Sequence, residues 1–325
     1  MADALEIAKV LVSPCEKLIS ATQAAIGKLY EPRYIKRMAD AKAYEIQKVG
    51  KAIAENSDIP IVYDKGSITM DTTDFDALIK RTQNRLAYQE LRKQTNIETV
   101  LYNAYIDLEN EPPVTDDPID PDWLIRFFNS VEDISNEQMQ YLWGKILAGE
   151  IKQPNSFSMR TLNILKNLTQ SEAELFMRIS PYIFTCPGNN QKSIIDYFIP
   201  VSDMLIDDEL SKHQISFPDI LTLNEAGIIT NNSNIIISMH LESKETDWII
   251  GSQGRLECYN GSDSPVNLNH EAYVLTESGK ELFSIINECS ESIDAKYIEA
   301  FFKSFVFRNS LDENEEVKVS IILSR

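Results

Sequence analysis

Three histidines and four cysteines are the residues of this chain with the widest chemical repertoire. Imidazoles and thiolates bind transition metals or act as bases and nucleophiles when they lie close together. No histidine belongs to an HExxH pattern, and no two cysteines form a CxxC pair. We therefore expect isolated, reduced side chains, with no cofactor, no metal site and no catalytic residue. The residues concerned are His213, His240, His270, Cys15, Cys186, Cys258 and Cys289.

An acidic segment at residues 111–122 contains five carboxylates and four prolines. Grouped carboxylates suggest a calcium loop, because Ca²⁺ binds oxygen ligands. An EF-hand loop needs a central glycine and a distal glutamate at fixed spacing, and Pro118 and Pro121 interrupt that spacing. We interpret the segment as a solvated linker. The chain also lacks GxGxxG, GxxxxGK[ST] and GxSxG, so the sequence predicts no phosphate loop and no nucleophile elbow.

Charge is distributed unevenly along the chain. Residues 1–52 carry nine basic and six acidic side chains, whereas the whole chain has a net charge of −19. The segment from Lys17 to Lys51 holds eight basic residues and three acidic ones. A basic, amphipathic end on an acidic body is typical of proteins that bind a membrane surface or an acidic partner.

The first helical segment has one apolar face, from which Lys17 is excluded by the helical spacing. Small residues within it permit close helix packing, and the basic residues after it attract anionic headgroups. Amphipathicity leaves two interpretations open, which are contact with lipid or another subunit and packing within the protein's own core. The candidate contact residues are Leu18, Ile19, Ala25, Ile26, Lys28, Leu29, Tyr30, Arg33, Lys36 and Arg37.

Periodicity and capping signals predict the elements that must position these residues. A hairpin is predicted at 59–70, and a long helix is predicted at 74–108 because that stretch contains no glycine or proline. Further helices follow the acidic segment. Capping boxes at Ser135 and Thr169 open two of them, and Gly149 is predicted to end the first of these two.

The last third of the chain mixes helices and strands. A helix at 217–226, strands near 234–239, 248–250 and 273–275, and a helix from Thr276 have the order of a winged helix. The predicted fold is mostly α with a small α+β part, comprising N-terminal amphipathic helices, a central helical block and a C-terminal winged-helix-like domain. The predicted segments are 1–56 (basic amphipathic), 57–110 (hairpin and long helix), 111–122 (acidic linker), 123–185 (central helical block), 186–290 (winged-helix-like domain) and 291–325 (tail helix and strand).

The charge of this last region argues against DNA binding. The helix that would enter the major groove contains no lysine or arginine, and residues 242–271 have a net charge of −4. Non-specific affinity for duplex DNA depends on basic contacts to phosphates. We therefore expect a module for protein interaction or assembly, with no nucleic-acid partner.

Three stretches of this sequence resemble a bacterial family known only as a domain of unknown function. They are NEQMQYLWGKILAGEI at 136–151, SFSMRTLNILKNLT at 156–169 and LTESGKEL at 275–282, and the segment GKLYEP at 27–32 is also similar to that family. More loosely, the layout is similar to the abortive-infection alpha proteins of bacteria, which also begin with an amphipathic segment. These resemblances imply a bacterial, anti-phage role and supply no catalytic residue.

Together, the charge pattern and the resemblance predict a non-enzymatic defence protein. It would sense a phage or host protein, assemble with copies of itself, and engage or permeabilise the inner membrane through its N-terminal helices. We expect a cytoplasmic protein that attaches to or inserts into the inner membrane on activation, with an anionic membrane surface among its partners. The alternatives are a winged-helix adaptor or transcriptional regulator, and an enzyme whose site is assembled from scattered residues.

Overall fold

The computed structural model describes residues 11–26, 61–64, 67–70, 75–186, 197–200, 204–230, 235–252, 254–286, 295–311 and 316–323. The chain divides into two compact units, Met1–Leu162 and Asn163–Arg325. The division falls within a helix of the predicted central block, and the predicted segment boundaries stay a prediction.

Unit 1 is a helical bundle with two short strand pairs. Helix α1 packs on α3, α4 and α2, while α2 packs on α4 and α3. The predicted hairpin and the predicted long helix are both confirmed. The elements are β1 (Leu11–Val12), α1 (Pro14–Ile26), β2 (Ile61–Asp64), β3 (Ser67–Met70), α2 (Phe75–Leu108), β4 (Val114–Thr115), α3 (Pro121–Val131), α4 (Glu137–Lys152) and α5 (Met159–Asn167), of which α5 crosses the unit boundary.

The core of unit 1 is an aromatic cluster between α3 and α4. Trp123 and Phe127 stack with ring centroids 5.2 Å apart, and Phe127 meets Trp143 edge-on at 5.3 Å. All three rings are buried. The Trp123 Nε1 donates to the Phe157 carbonyl oxygen at 2.7 Å, which ties the loop after α4 to this core. Aromatic side chains of this size bury large apolar areas and dominate the stability of such cores.

Two glycines allow α4 to pack closely against its neighbours. A Cβ at Gly144 would lie 2.5 Å from the Cβ of Asn103 on α2, and one at Gly149 would lie 2.7 Å from the ring of Phe157. The prediction that Gly149 ends the helix was wrong, because α4 continues to Lys152. Its glycine provides space for an aromatic ring. The N-cap is Asn136, whose side chain accepts from the Met139 backbone N–H at 3.0 Å, and the predicted cap Ser135 lies one residue too early.

Unit 2 combines helices with a large antiparallel sheet. Its first helix opens with the predicted capping box at Thr169, which is confirmed. The elements are α6 (Gln170–Ile179), a 3₁₀ turn (Ser180–Tyr182), β5 (Phe184–Thr185), β6 (Tyr197–Pro200), α7 (Met204–Lys212), α8 (Phe217–Glu225), β7 (Ile229–Thr230), β8 (Ile236–Leu241), β9 (Thr246–Gly251), β10 (Gly254–Asn260), β11 (Val266–Leu275), α9 (Glu277–Ile286), α10 (Lys296–Arg308) and β12 (Val317–Leu323).

The described strands of unit 2 form an eight-stranded sheet in the order β12-β10-β9-β5-β6-β11-β7, with β8 also paired to β11. Helix α10 packs against this sheet, where Phe301 meets Phe184 at 4.7 Å between ring centroids. The fold is therefore mixed α+β, and the sheet is larger than the mostly α prediction allowed. The sequence predicted no strand at β10, whose alternating buried and exposed residues lie within the acidic stretch 242–271.

A single buried side chain organises the loops at one end of β8, β9 and β10. The Asn260 side chain is fully buried, and its Nδ2 lies within 3.2 Å of the carbonyl oxygens of Leu241, Glu242 and Ser264. Its Oδ1 accepts from the backbone N–H and the hydroxyl of Ser262 at 3.0 and 2.7 Å. A buried amide that satisfies so many backbone groups rigidifies the loops around it.

Candidate interaction site at helix α1

Helix α1 begins with a residue that is typical of a helix start. Pro14 is its first residue, and the Lys17 backbone N–H donates to the Ser13 carbonyl oxygen at 3.0 Å. Proline suits this position because the first turn of a helix has no internal partner for its N–H groups. Immediately before the helix, strand β1 pairs with β4, so that Leu11 lies opposite Thr115. The acidic segment that carries β4 therefore joins two helices of unit 1 and also holds the start of α1.

The apolar stripe of α1 is only partly exposed. Leu18 is 1% exposed, and Thr22 is also buried, with its hydroxyl donating to the Leu18 carbonyl oxygen at 2.8 Å. Ile19, Ala25 and Ile26 are half-buried. Of the two interpretations left open by the sequence, packing within the protein's own core describes Leu18 in this conformation. The other candidate contact residues, Lys28, Leu29, Tyr30, Arg33, Lys36 and Arg37, lie outside the described residues.

Lys17 is the least expected residue of this helix. The sequence places it off the apolar stripe, yet the side chain is 7% exposed and its Nζ donates to the Thr115 carbonyl oxygen at 2.8 Å. Burial lowers the pKa of Lys17, because desolvation disfavours the charged form. The carboxylates of Asp117, Asp116 and Glu150 act in the opposite direction on that pKa. We call Lys17, Thr115, Asp116, Asp117 and Glu150 the Lys17 site.

Glu150 connects the Lys17 site to the end of α4. Its side chain is 1% exposed, and its two carboxylate oxygens accept the backbone N–H groups of Asn155 at 2.7 Å and Phe157 at 3.1 Å. On the other side, the Thr115 hydroxyl donates to the Asp117 carboxylate at 2.8 Å. The carboxylates that favour the charged form of Lys17 thus come from two parts of unit 1, the acidic segment and α4. Sequence analysis missed this site because its members are up to 133 positions apart, from Lys17 to Glu150.

One cysteine and two histidines of the described residues lie in the strands of unit 2. Cys258 is fully buried in β10 opposite Asp247 of β9, and burial raises the pKa of its thiol to about 12. A thiol with so high a pKa is a poor nucleophile at neutral pH. His270 is also buried, and its Nδ1 donates to the Glu271 carbonyl oxygen at 2.7 Å. On the surface, His240 Nδ1 contacts Asn267 Oδ1 at 2.7 Å across the β8–β11 pair.

Within the described ranges, no group of three or more histidine, cysteine, aspartate or glutamate side chains is arranged to hold a metal ion. The same part of the chain contains no helix that is both long and apolar enough to cross a membrane.

Helix α8 is the helix that would enter the major groove in a DNA-binding winged helix. Its exposed side chains are acidic and apolar. Phe217 is 55% exposed at its start, and Glu225 is exposed at its end. The two basic residues of the acidic stretch 242–271 have partners within that stretch. Lys244 Nζ lies 3.1 Å from the Asp263 carboxylate, and the Arg255 guanidinium lies 5.8 Å from the ring centroid of Trp248. The exposed Phe217 offers an apolar contact to a partner, and Glu225 offers an acidic one.

A family model described as protein of unknown function (DUF2806) matches residues 80–301. The chain belongs to the DUF2806 family. This confirms the resemblance to an uncharacterised family that the central block indicated. No curated protein and no solved structure matches the chain.

The DUF2806 match begins within α2 and ends within α10. It therefore includes Thr115, Asp117 and Glu150 of the Lys17 site, whereas Lys17 itself precedes it. Strand β12 follows the matched region. The residues of the Lys17 site that contact or attract Lys17 are thus part of the DUF2806 region. Helix α1, which carries Lys17, lies outside that region.

Proposed function

We propose that this DUF2806 protein is a non-enzymatic bacterial defence protein that assembles with copies of itself and engages the inner membrane through its N-terminal helices. In this proposal the described conformation is the resting state, with α1 docked on the helices of unit 1. A phage or host protein would act as the trigger that releases the helix. The burial of Lys17, whose Nζ donates to the Thr115 carbonyl oxygen, is the observation that carries the proposal.

The burial of Lys17 makes the docking of α1 reversible. Removing an ammonium group from water is expensive, and attraction to buried or half-buried carboxylates repays that cost only in part. Release of α1 returns the Lys17 charge to water, while Leu18 exchanges its burial in the core for burial against lipid or another subunit. The two states can therefore be close in free energy, as a triggered switch requires.

The size of α1 constrains how it would meet a membrane. Its 13 residues rise about 20 Å at 1.5 Å each, which is less than the roughly 30 Å of a hydrocarbon core. Alone, the helix would lie in the membrane interface with its apolar face down. The segment from Lys17 to Lys51, with eight basic and three acidic residues, would add attraction to anionic headgroups.

The proposal assigns unit 2 the role of recognition and assembly. We interpret α7, α8, β7 and β11 as a winged-helix-like arrangement, in which Gly227 ends α8 with φ 77° and β7 pairs with β11. The exposed Phe217 at the start of α8 supports a protein partner. The same surface also supports a second candidate function. In that case the protein would be a winged-helix adaptor or regulator that acts through protein contacts.

A substitution in the Lys17 site that leaves α1 itself unchanged tests whether these residues keep α1 docked. Asp117→Asn removes one carboxylate that faces Lys17, and Asp133→Asn changes the net charge equally at an exposed position on the loop between α3 and α4. We expect Asp117→Asn to increase dye leakage from vesicles containing anionic lipid and to increase growth arrest in cells, while Asp133→Asn matches the wild type. Equal leakage and arrest for both variants and the wild type, with Asp117→Asn folded normally, would refute this role of the Lys17 site.

A further inference from the structure

The first and last parts of helix α2 differ in their surroundings. The last part belongs to the core of unit 1, and its buried apolar side chains are Val100, Leu101, Ala104 and Leu108. In the first part, residues 84–92 are exposed apart from the half-buried Gln89. A helix that is exposed on most sides over more than two turns gains little stability from packing within its own chain. The same exposure makes this stretch accessible to a ligand.

Three arginines form a row along this part of α2. Arg81, Arg85 and Arg92 are separated by four and seven positions, so at 3.6 residues per turn their side chains leave the helix on one side. From its first to its last arginine the row is about 16 Å long, at 1.5 Å per residue. Tyr88 lies on the same side and is 52% exposed. We call Arg81, Arg85, Tyr88 and Arg92 the arginine row.

No carboxylate lies on this side of α2 between residues 81 and 99. The acidic residues of that stretch are Glu90 and Glu98, which are rotated from Arg92 by about 160° and about 120° around the helix. Within the described ranges, no ion pair joins a carboxylate to an arginine of the row. Arg85 Nη1 donates instead to the neutral side-chain oxygen of Gln89 at 3.0 Å. The row therefore keeps its positive charge, although the chain has 50 acidic and 31 basic side chains.

The guanidinium group of Arg81 adds a second sign that an anion binds here. Its Nη2 is buried and has no hydrogen-bond partner in the part of the chain that the structure describes. A buried donor without an acceptor costs free energy, because its bonds to water have been lost and not replaced. Turning this guanidinium group toward a bound anion would remove that cost. Phosphate is a good match, since the planar fork of arginine N–H groups can donate to two phosphate oxygens.

We infer that the arginine row binds the phosphate backbone of a single-stranded nucleic acid, with one base stacked on the ring of Tyr88. Basic side chains along the backbone and an aromatic ring for the bases are the two features that bind single strands without sequence preference. The length of the row equals roughly five stacked nucleotides at 3.4 Å each. This inference goes beyond the proposed function, which includes no nucleic acid. The charge argument against DNA binding concerned the last third of the chain, whereas the row lies in unit 1.

The apolar residues beside the row favour a nucleic acid over a membrane surface. A helix that lies on a membrane has one apolar side, which enters the headgroup region. Leu86 is rotated from Arg92 by about 120° in one direction, and Leu91 by about 100° in the other. The exposed leucines therefore do not share one side of α2. Between the arginines, the row offers an aromatic ring, on which any base can stack.

Binding of a fluorescent oligo(dT) of about 12 nucleotides to the full chain, measured by anisotropy, tests the inference. With three phosphate contacts, the logarithm of the association constant should fall by about 2 for each tenfold rise in salt concentration. Arg92→Gln should weaken binding and reduce this slope by about 0.7, the share of one contact. Arg126→Gln is the matched control, because it removes an exposed arginine from α3 of the same unit. The control should leave the slope unchanged.

Tyr88 tests the stacking contact independently of charge. Tyr88→Ala should weaken oligo(dT) binding at least about fivefold and leave the salt slope unchanged, because it removes a ring and no charge. Tyr88→Phe keeps the ring and should bind as the wild type does. A duplex of the same length should bind more weakly, since its bases are paired and stacked on each other. Tyr88 and Arg92 are exposed, so circular dichroism should show these variants folded.

Several outcomes would overturn the inference. They include a wild-type chain that binds no oligo(dT) at low salt, and equal salt slopes for Arg92→Gln and Arg126→Gln. Duplex binding as tight as single-strand binding, with no effect of Tyr88→Ala, would do the same. Binding of anionic vesicles or of poly-glutamate that depends on Arg92, without oligo(dT) binding, would assign the row to lipid or to an acidic protein instead. Vesicle leakage caused by a chain that binds no oligo(dT) would overturn this inference alone and leave the proposed function standing.

Discussion

Replacing Leu18 with alanine is the most direct way to test whether α1 is docked as the structure shows. The leucine side chain is 1% exposed, so almost all of its surface is in contact with unit 1. Buried leucine-to-alanine changes cost about 2–5 kcal/mol, through lost transfer free energy and the cavity left behind. We take about 3 kcal/mol, since α1 lies at the start of its bundle and neighbouring side chains can relax. Ile19→Ala, at the half-buried next position, should cost roughly half as much.

Cys15 reports the docking of α1. It lies in the first turn of the helix, is half-buried, and has a thiol pKa raised by burial and by the nearby Glu109 and Glu16. Thiol labelling followed by peptide mass spectrometry isolates its rate from those of the other cysteines. If labelling proceeds through brief release of α1, a 3 kcal/mol loss of docking free energy raises the rate about 150-fold.

Two results would refute this reasoning. A Cys15 labelling rate that is the same for Leu18→Ala and the wild type would mean that Leu18 does not hold the helix. A larger effect for Ile19→Ala than for Leu18→Ala would mean that the side of α1 that carries Ile19 is the more tightly packed one. The thermal midpoint of each variant, measured in parallel, shows whether α1 alone is released or unit 1 unfolds with it.

Two further predictions concern pH and close packing. Burial lowers the pKa of Lys17 below its ordinary value, so the released helix binds more protons than the docked helix between that lowered pKa and the ordinary value. The docking of α1 should therefore strengthen as pH rises through this window. Amide hydrogen exchange in α1, corrected for its intrinsic pH dependence, measures this change. The variant Lys17→Gln should show no such pH dependence. Gly279→Ala should lower the thermal midpoint sharply, because a Cβ there would lie 2.0 Å from the Ile228 carbonyl oxygen, and an unchanged midpoint would show that this contact relaxes freely.

Local signals in the sequence predicted the elements whose causes are themselves local. The capping box at Thr169 opens α6, because this cap needs only residues within one turn. Gly227 follows the end of α8 with φ 77°, a left-handed conformation that favours glycine after a helix. The absence of glycine and proline likewise predicted the long helix α2.

Features that depend on distant neighbours were not predictable from the sequence. Gly149 was interpreted as a helix stop, whereas its role is set by the ring of Phe157 that packs against it. The extent of the sheet was underestimated because β10 is defined by pairing with β12, about 60 residues later. Lys17 was assigned to the polar side of α1, since only the fold brings Thr115 and Glu150 to it. A lysine beside an apolar stripe gives no signal of its own burial.

Asn260 has a consequence for how this protein can change over evolutionary time. Its amide fixes the backbone of the loops around it from the inside, through bonds to main-chain groups at Leu241, Glu242 and Ser264. The loop shape therefore depends little on which side chains point outward from it. Substitutions at exposed positions such as Glu242 and Asp263 should alter the surface without altering the fold. A protein that must keep recognising a changing partner could diversify here at little risk to its stability.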